Sequence, residues 1–352
     1  MTHRFMIVGD SMTIGSRGDY TWRYRLWRHL RSAGVDAAFT GPYTGVYDHA
    51  TGEACDGYRD PRFPTAHHAA WGRPIGALNE RITADVRRHR PDTLLVLMGL
   101  IDLGFYTLAD ATEANLRAFV AAVRTGNPAA RIVLAPVPLN DRGQSDPLFA
   151  AQRADFNARQ ARAAAGLSTP AAPVLLTGPL PGWDLLADTY DGTHPSERGE
   201  HKIAAAFAGT LHTGLGIGAP YGPIPRTRSA LPAPGTPALT RTGAASAMLG
   251  WPPVAGADRY HVLVRDVTGG VPWARLPWPV TEPRCPFDGL LDGHTYAFAV
   301  RALNGTAEGP SSPVLRTLLN LGTRGMPEHA PGVAPLERRT DGRQPAGGPA
   351  KR

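Results

Sequence analysis

The sequence predicts a doubly wound α/β unit on a parallel sheet, followed by a smaller all-β unit. Over residues 1–218, short apolar runs alternate with segments of helical hydrophobic period, which is the pattern of a parallel sheet covered by helices. Residues 219–237 then turn Pro-rich, with Pro220, Pro223, Pro225, Pro232, Pro234 and Pro237, as a semi-rigid linker does. Beyond them the period becomes twofold: Leu249 and Trp251, then Tyr260, Val262 and Val264, then Tyr296, Phe298, Val300 and Ala302.

Taken in order, Phe5 to Val8 form a buried strand that ends in the tight turn Gly9-Asp10-Ser11. A helix from Tyr20 to Ser32 places Trp22, Leu26 and Leu30 on one face, with Trp27 beside them, and Gly34 stops it. These aromatics are expected to pack the helix on the sheet. Asp36 to Thr40 is the second strand. The irregular region that follows, to Ala70, contains Tyr43, Tyr47, Cys55, Tyr58, His67 and His68, and so much loop in a compact domain points to a cleft wall. The His67-His68 pair reads as solvent-facing or loop structure and not as a metal site, because no acid or cysteine joins it at ligand spacing.

Ile75, Leu78, Ile82 and Val86 mark an amphipathic helix, Thr93 to Met98 a buried strand, and Glu113 to Arg124 a further helix. Residues 131–135 give another strand, Arg153 to Gly166 a helix, and Val174 to Leu176 a short last strand. A helix after Pro195, carrying Ile203, Phe207 and Leu211, closes the unit by Gly218. The all-β unit is placed at 238–318, and the Gly-, Pro- and Arg-rich tail, 319–352, is expected to be disordered.

The chemistry resides in two separated motifs. Ser11 would stand at the carboxyl edge of the sheet, where open α/β folds bind ligands. A serine hydroxyl is a poor nucleophile at neutral pH and needs a base to take its proton and a third group to orient that base. Asp191-Gly-Thr-His194-Pro195 supplies both. At a spacing of three the Asp191 carboxylate can hold one imidazole nitrogen of His194 while the other faces Ser11. Taken singly, Ser11 fits a helix cap and His194 a surface histidine equally well.

These motifs resemble those of the SGNH (or GDSL) hydrolases, which come in a fixed order. The first block matches as Gly9-Asp10-Ser11 and the last as Asp191-x-x-His194-Pro195 followed by Gly199; a second-block glycine falls at Gly72 in Ala70-Trp71-Gly72-Arg73. The third block, Gly-x-Asn-Asp in the family, is here Gly99-Leu100-Ile101-Asp102. The resemblance implies a flavodoxin-like strand order 2-1-3-4-5, catalysis by Ser11, His194 and Asp191, and an oxyanion hole formed by the N–H groups of Ser11 and Gly72. In the family the third-block asparagine also donates to the oxyanion; Ile101 cannot, and loss of one such donor lowers turnover by about 10² to 10³. Asn79 and Thr13 are candidate substitutes. The C-terminal unit resembles a fibronectin type III domain, with a tryptophan on an early strand and Leu290-x-x-Gly293-x-x-Tyr296 in the manner of a tyrosine corner.

The activity so implied is hydrolysis of carboxylic esters, acetyl or longer acyl, on a small molecule or carbohydrate, with no metal or organic cofactor. Two alternatives stand beside it: an acyltransferase using the same three residues, and a catalytically impaired domain that serves as a scaffold. The fibronectin-like unit is read first as a spacer or stabilising partner, with protein or polysaccharide contact as the alternative.

Composition narrows the remaining classes. The chain has 352 residues, 42% of them hydrophobic, enough for two ordinary cores. Net charge is +7, yet the only lysines are Lys202 and Lys351 and the arginines are scattered with no stripe of stacking aromatics, which argues against nucleic-acid binding. No apolar run is long enough for a membrane helix. Cys55 and Cys285 fall in different units and are read as structural thiols. With no charged region followed by an apolar stretch at the amino terminus, the chain is expected to stay in the cytoplasm.

Overall fold

A computed structural model describes residues 2–319 apart from 50, 181, 225–230, 244, 258, 305 and 306. Part of the linker and nearly all of the tail expected to be disordered therefore lie outside the described residues.

The N-terminal sheet forms from short, fully buried runs. Its strands are β1 (His3–Gly9), β2 (Ala37–Phe39), β6 (Thr93–Leu97), β7 (Arg131–Ala135) and β8 (Val174–Leu176), in the order β2-β1-β6-β7-β8 and all parallel. Counting these five alone gives 2-1-3-4-5, as the resemblance implied. The order reverses between β1 and β6, so the segments leaving their carboxyl ends border one crevice. Ser11 and Gly99 are each the second residue of these segments.

Helices cover both faces. α2 (Thr21–Ser32) packs on α8 (Glu197–Leu215), with Trp22 stacked on Phe207 at 4.8 Å between centroids. On the other face α3 (Ile82–His89) lies on α4 (Ala109–Gly126), which lies on α6 (Pro147–Leu167). Trp22, Leu26 and Leu30 are fully buried in the core against the sheet, as expected, and Trp27 packs at its edge.

Three elements depart from the expected layout. The helix read from Ile75 to Val86 is two pieces, a 3₁₀ turn at Ile75–Leu78 and then α3, because the same apolar spacing suits both conformations and Asn79-Glu80-Arg81 interrupts it. Helix α6 begins at Pro147, well before Arg153, with Asp146 accepting the Leu148 and Phe149 N–H groups as its cap. The region from 41 to 70 is partly ordered: β3 (Val46–Asp48) and β4 (Glu53–Cys55) pair as a hairpin, and β5 (His68–Ala69) adds to β1.

His67 and His68 are correspondingly buried and not solvent-facing. His67 bonds the Gly45 carbonyl through Nε2 at 2.8 Å and accepts the Ala69 N–H at Nδ1, and burial drives its basicity well below the usual value. His68 pairs with Asp85 at 2.9 Å, an acid that lies near in space and far in sequence. Among the described residues no cluster of three metal-ligating side chains occurs, and no helix is long and apolar enough to cross a membrane.

The C-terminal unit is two antiparallel sheets. One is β9 (Ala238–Arg241), β10 (Ala247–Gly250) and β13 (Arg284–Phe287); the other is β11 (Arg259–Asp266), β12 (Ala274–Arg275), β14 (Thr295–Asn304), β15 (Ala307–Ser311) and β16 (Leu315–Leu318). Leu249, Tyr260, Val262, Phe298, Val300 and Ala302 from the twofold pattern form one core between them. Trp251 is buried directly after β10, edge-on to Tyr260. The Tyr296 hydroxyl accepts the Leu291 N–H at 3.2 Å, the bond that defines a tyrosine corner. Cys285 sits in this core, its thiol pushed up to about 11 by burial, and Cys55 is on the hairpin; both are free.

Buried polar contacts join the two units. Arg259 meets Asp19 at 2.8 Å with both side chains under a tenth exposed, and Asp19 in turn accepts the Ser16 N–H. His261 Nε2 lies 3.3 Å from the Tyr190 carbonyl.

Candidate active site

The turn after β1 is shaped by close packing. A Cβ on Gly9 would lie 2.0 Å from the Thr13 hydroxyl, so only glycine lets the short helix α1 (Ser11–Ile14) fold back on the strand. The Asp10 carboxylate caps that helix by accepting the Met12 N–H at 3.0 Å. Ser11 is thereby placed at the first helical position with its hydroxyl not used for capping. Behind it, fully buried Arg23 holds the end of α1, donating to the Thr13 and Ile14 carbonyls, to Thr65 O and to the Tyr58 hydroxyl.

The second motif is equally constrained. Asp191 accepts the Thr193 and His194 N–H groups on one oxygen, at 2.9 and 2.7 Å, and faces His194 Nδ1 at 2.6 Å with the other. Burial pushes the Asp191 carboxyl up, but the His194 side-chain bond and charge and these N–H donors outweigh it, leaving it below the usual carboxylate range. An ionised Asp191 accepts a hydrogen bond from Nδ1–H and keeps the proton of the neutral imidazole on Nδ1, which leaves His194 Nε2 as an acceptor. The loop is clamped on both sides: Asp141 N–H donates to Gly192 O, and a Cβ on Gly199 would come within 2.0 Å of the Asp188 carbonyl, which explains the glycine of the last block.

Serine and histidine segments converge on residues 69–72. The Ala70 N–H donates to Gly9 O beside the turn, and Trp71 stacks on His194 at 4.5 Å between centroids. The Asp10 carboxyl feels the His194 charge; complete burial pushes it up to about 7, against the Met12 N–H and His194, which pull it down, and with Asp102 pushing the same way as burial. Among the described residues no hydrogen bond joins Ser11 Oγ to His194, so proton transfer requires the two side chains to come within hydrogen-bond reach in the substrate complex.

Gly72 follows Trp71 with a φ of +67°. Its loop is tied to the third block, since buried Asp102 accepts the Ile75 N–H on both carboxylate oxygens at 3.1 and 2.9 Å. Burial raises the Asp102 carboxyl despite these bonds. Gly99 and Ile101 lie between β6 and the π-helical turn Asp102–Tyr106. Of the substitute donors, Thr13 is fully buried with its side chain against Gly9, and Asn79 closes the 3₁₀ turn through its N–H to Gly76 O.

Sequence reasoning missed the aromatic frame around His194. Tyr190 lies nearly parallel to the imidazole at 5.8 Å, and its buried hydroxyl bonds Ser16 Oγ at 3.0 Å. Tyr47 stacks on the far side of Trp71 at 4.4 Å, and His49 packs edge-on against it. Adjacency was the only available signal, since Trp71 precedes Gly72 and Tyr190 precedes Asp191. Of the region 41–70, Asp48 and His49 line a cleft.

The family model described as the GDSL-like lipase/acylhydrolase family matches residues 7–202, and the fibronectin type III domain model matches 232–317. A carbohydrate esterase family 3 structure from Talaromyces cellulolyticus is similar with a TM-score of 0.50 at 20% identity, over 62% of this chain and 100% of its own. A Clostridium thermocellum family 3 carbohydrate esterase gives 0.48 at 21% identity, over 62% and 100%. The fibronectin type III domain of human collagen alpha-1(XX) gives 0.24 at 22% identity, over 30% and 99%. No curated protein matches.

Proposed function

We propose, since this chain belongs to the GDSL-like lipase/acylhydrolase family, that it is a serine esterase acting on acyl or acetyl esters through Ser11, His194 and Asp191. The observation that carries this reading is the Asp191–His194 pair at 2.6 Å, which frees Nε2 as a base beside the turn that presents Ser11. Ser11 Oγ attacks the acyl carbonyl as Nε2 takes its proton; the tetrahedral intermediate collapses, and the imidazolium returns that proton to the departing alkoxide. Water then enters by the same base and releases the acid. Trp71 and Tyr190 hold the imidazole plane. The Ser11 and Gly72 N–H groups are assigned to the oxyanion, with Ile101 contributing no donor.

In this reading the catalytic unit is 1–218 and the fibronectin-like unit 238–318. An acyltransferase would share every step up to the acyl-enzyme, so the test measures products. With p-nitrophenyl acetate, acetate is expected to form in step with nitrophenol, with and without an added alcohol or amine. Acyl product on the acceptor would replace the hydrolase reading by the transferase one. Absence of nitrophenol release across acetyl to octanoyl esters would contradict both.

A further inference from the structure

A cleft of about 700 Å³ lies between the two units, and Tyr190, which lines it, also lies against His194 at 5.8 Å between ring centroids. Its N-terminal wall includes Ser16, His49 and Tyr190, and its C-terminal wall the segment from Leu276 through Trp278 to Val280. Trp278 stacks on His49 at 5.1 Å with an interplanar angle of 11°, and remains 41% exposed. His49 packs on Trp71, and Trp71 on His194. A continuous run of ring contacts therefore leads from the proposed base to the fibronectin-like unit. Gly18 is packed against Thr281 and Arg259 is ion-paired with Asp19, so this wall is anchored and not merely adjacent.

The chemistry of the walls limits what could enter. Proline, leucine, valine and tryptophan side chains dominate the C-terminal side, while the nearby cations are matched: Arg17 pairs with Asp48 and Glu282, and Arg284 with Glu282. An anionic ligand would compete with those carboxylates. A flat, uncharged, apolar group would bury surface against the prolines and Trp278 at no such cost. The volume is that of a site for a drug-sized group and far exceeds an acetyl moiety.

We propose that the fibronectin-like unit forms part of the substrate site, and that this cleft binds a bulky, flat, apolar portion of the ester. The proposal rests on the esterase reading for its substrate, so its test includes a measurement independent of turnover. With the full chain, kcat/KM is measured for 2-naphthyl acetate, methyl 2-naphthoate and methyl acetate, which place the ring in the alcohol half, the acyl half or neither. Trp278→Ala is expected to lower the preference for at least one naphthyl ester over methyl acetate by about tenfold, and Trp278→Phe, which keeps a ring, to restore most of it. A preference unchanged within about twofold in Trp278→Ala would overturn the proposal. In parallel, both naphthyl esters are titrated calorimetrically into Ser11→Ala and Ser11→Ala/Trp278→Ala. Weaker binding to the double variant supports the cleft even if the wild-type chain hydrolyses none of the three esters, an outcome that would reject only the esterase reading. Equal binding, or none to either protein, overturns the cleft assignment.

Discussion

Ser11→Ala is expected to lower kcat for p-nitrophenyl acetate by about 10⁶-fold, the scale on which loss of a serine nucleophile acts when its base and oxyanion donors remain. The substitution is unusually clean. Asp10, not Ser11, caps α1, and the Ser11 main chain bonds Gly15 N–H whatever its side chain. Ser11 Oγ makes no hydrogen bond among the described residues, and the replacement keeps the Cβ that packs in this turn. Thermal stability should therefore change by no more than about 0.5 kcal/mol, the usual range where no buried bond is broken. Hydrolysis within tenfold of wild type, in a variant with wild-type melting, would remove Ser11 from the mechanism.

Asp191→Asn should cost about 10⁴-fold in kcat while leaving the loop in place. An amide oxygen can still accept the Thr193 and His194 N–H groups that now bond Asp191. Its NH₂ group would donate to Nδ1 where the carboxylate now accepts. The imidazole would be forced into the tautomer that carries its proton on Nε2 and could not take one from Ser11. Measured kcat within tenfold of wild type, at unchanged melting temperature, would show that the pair serves only to fold the loop.

What the sequence disclosed follows from how local each cause is. The strands were readable because five or fewer apolar residues in a row, bounded by turns, have few other solutions in a covered sheet. Ser11, Asp191 and His194 were readable because a nucleophile turn and an i, i+3 carboxylate–imidazole pair are short-range constructions. The break between the 3₁₀ turn and α3 was not, since period alone does not separate the two helix types. The start of α6 was signalled by Asp146-Pro147, a cap and a first-turn proline, outside the apolar pattern that was used to place it. His68–Asp85, the Trp71–His194 stack and the Trp278–His49 stack join segments that only the fold brings together. Nothing in local spacing announces such contacts.

Asp102 shows how a motif residue can matter without touching substrate. Its carboxylate fastens the main chain three residues beyond Gly72, so the third block sets the position of the second. Ile101, beside it, leaves the assigned hole with main-chain donors, whose placement depends on that fastening.

The central claim is that Ser11 is a nucleophile activated by His194. The most direct measurement is reaction of the full chain with a fluorophosphonate, read by intact mass and peptide mapping. One adduct per chain, located on Ser11 and lost in His194→Ala, is the predicted result; folded protein that stays unlabelled, or labels at a different residue, would contradict it.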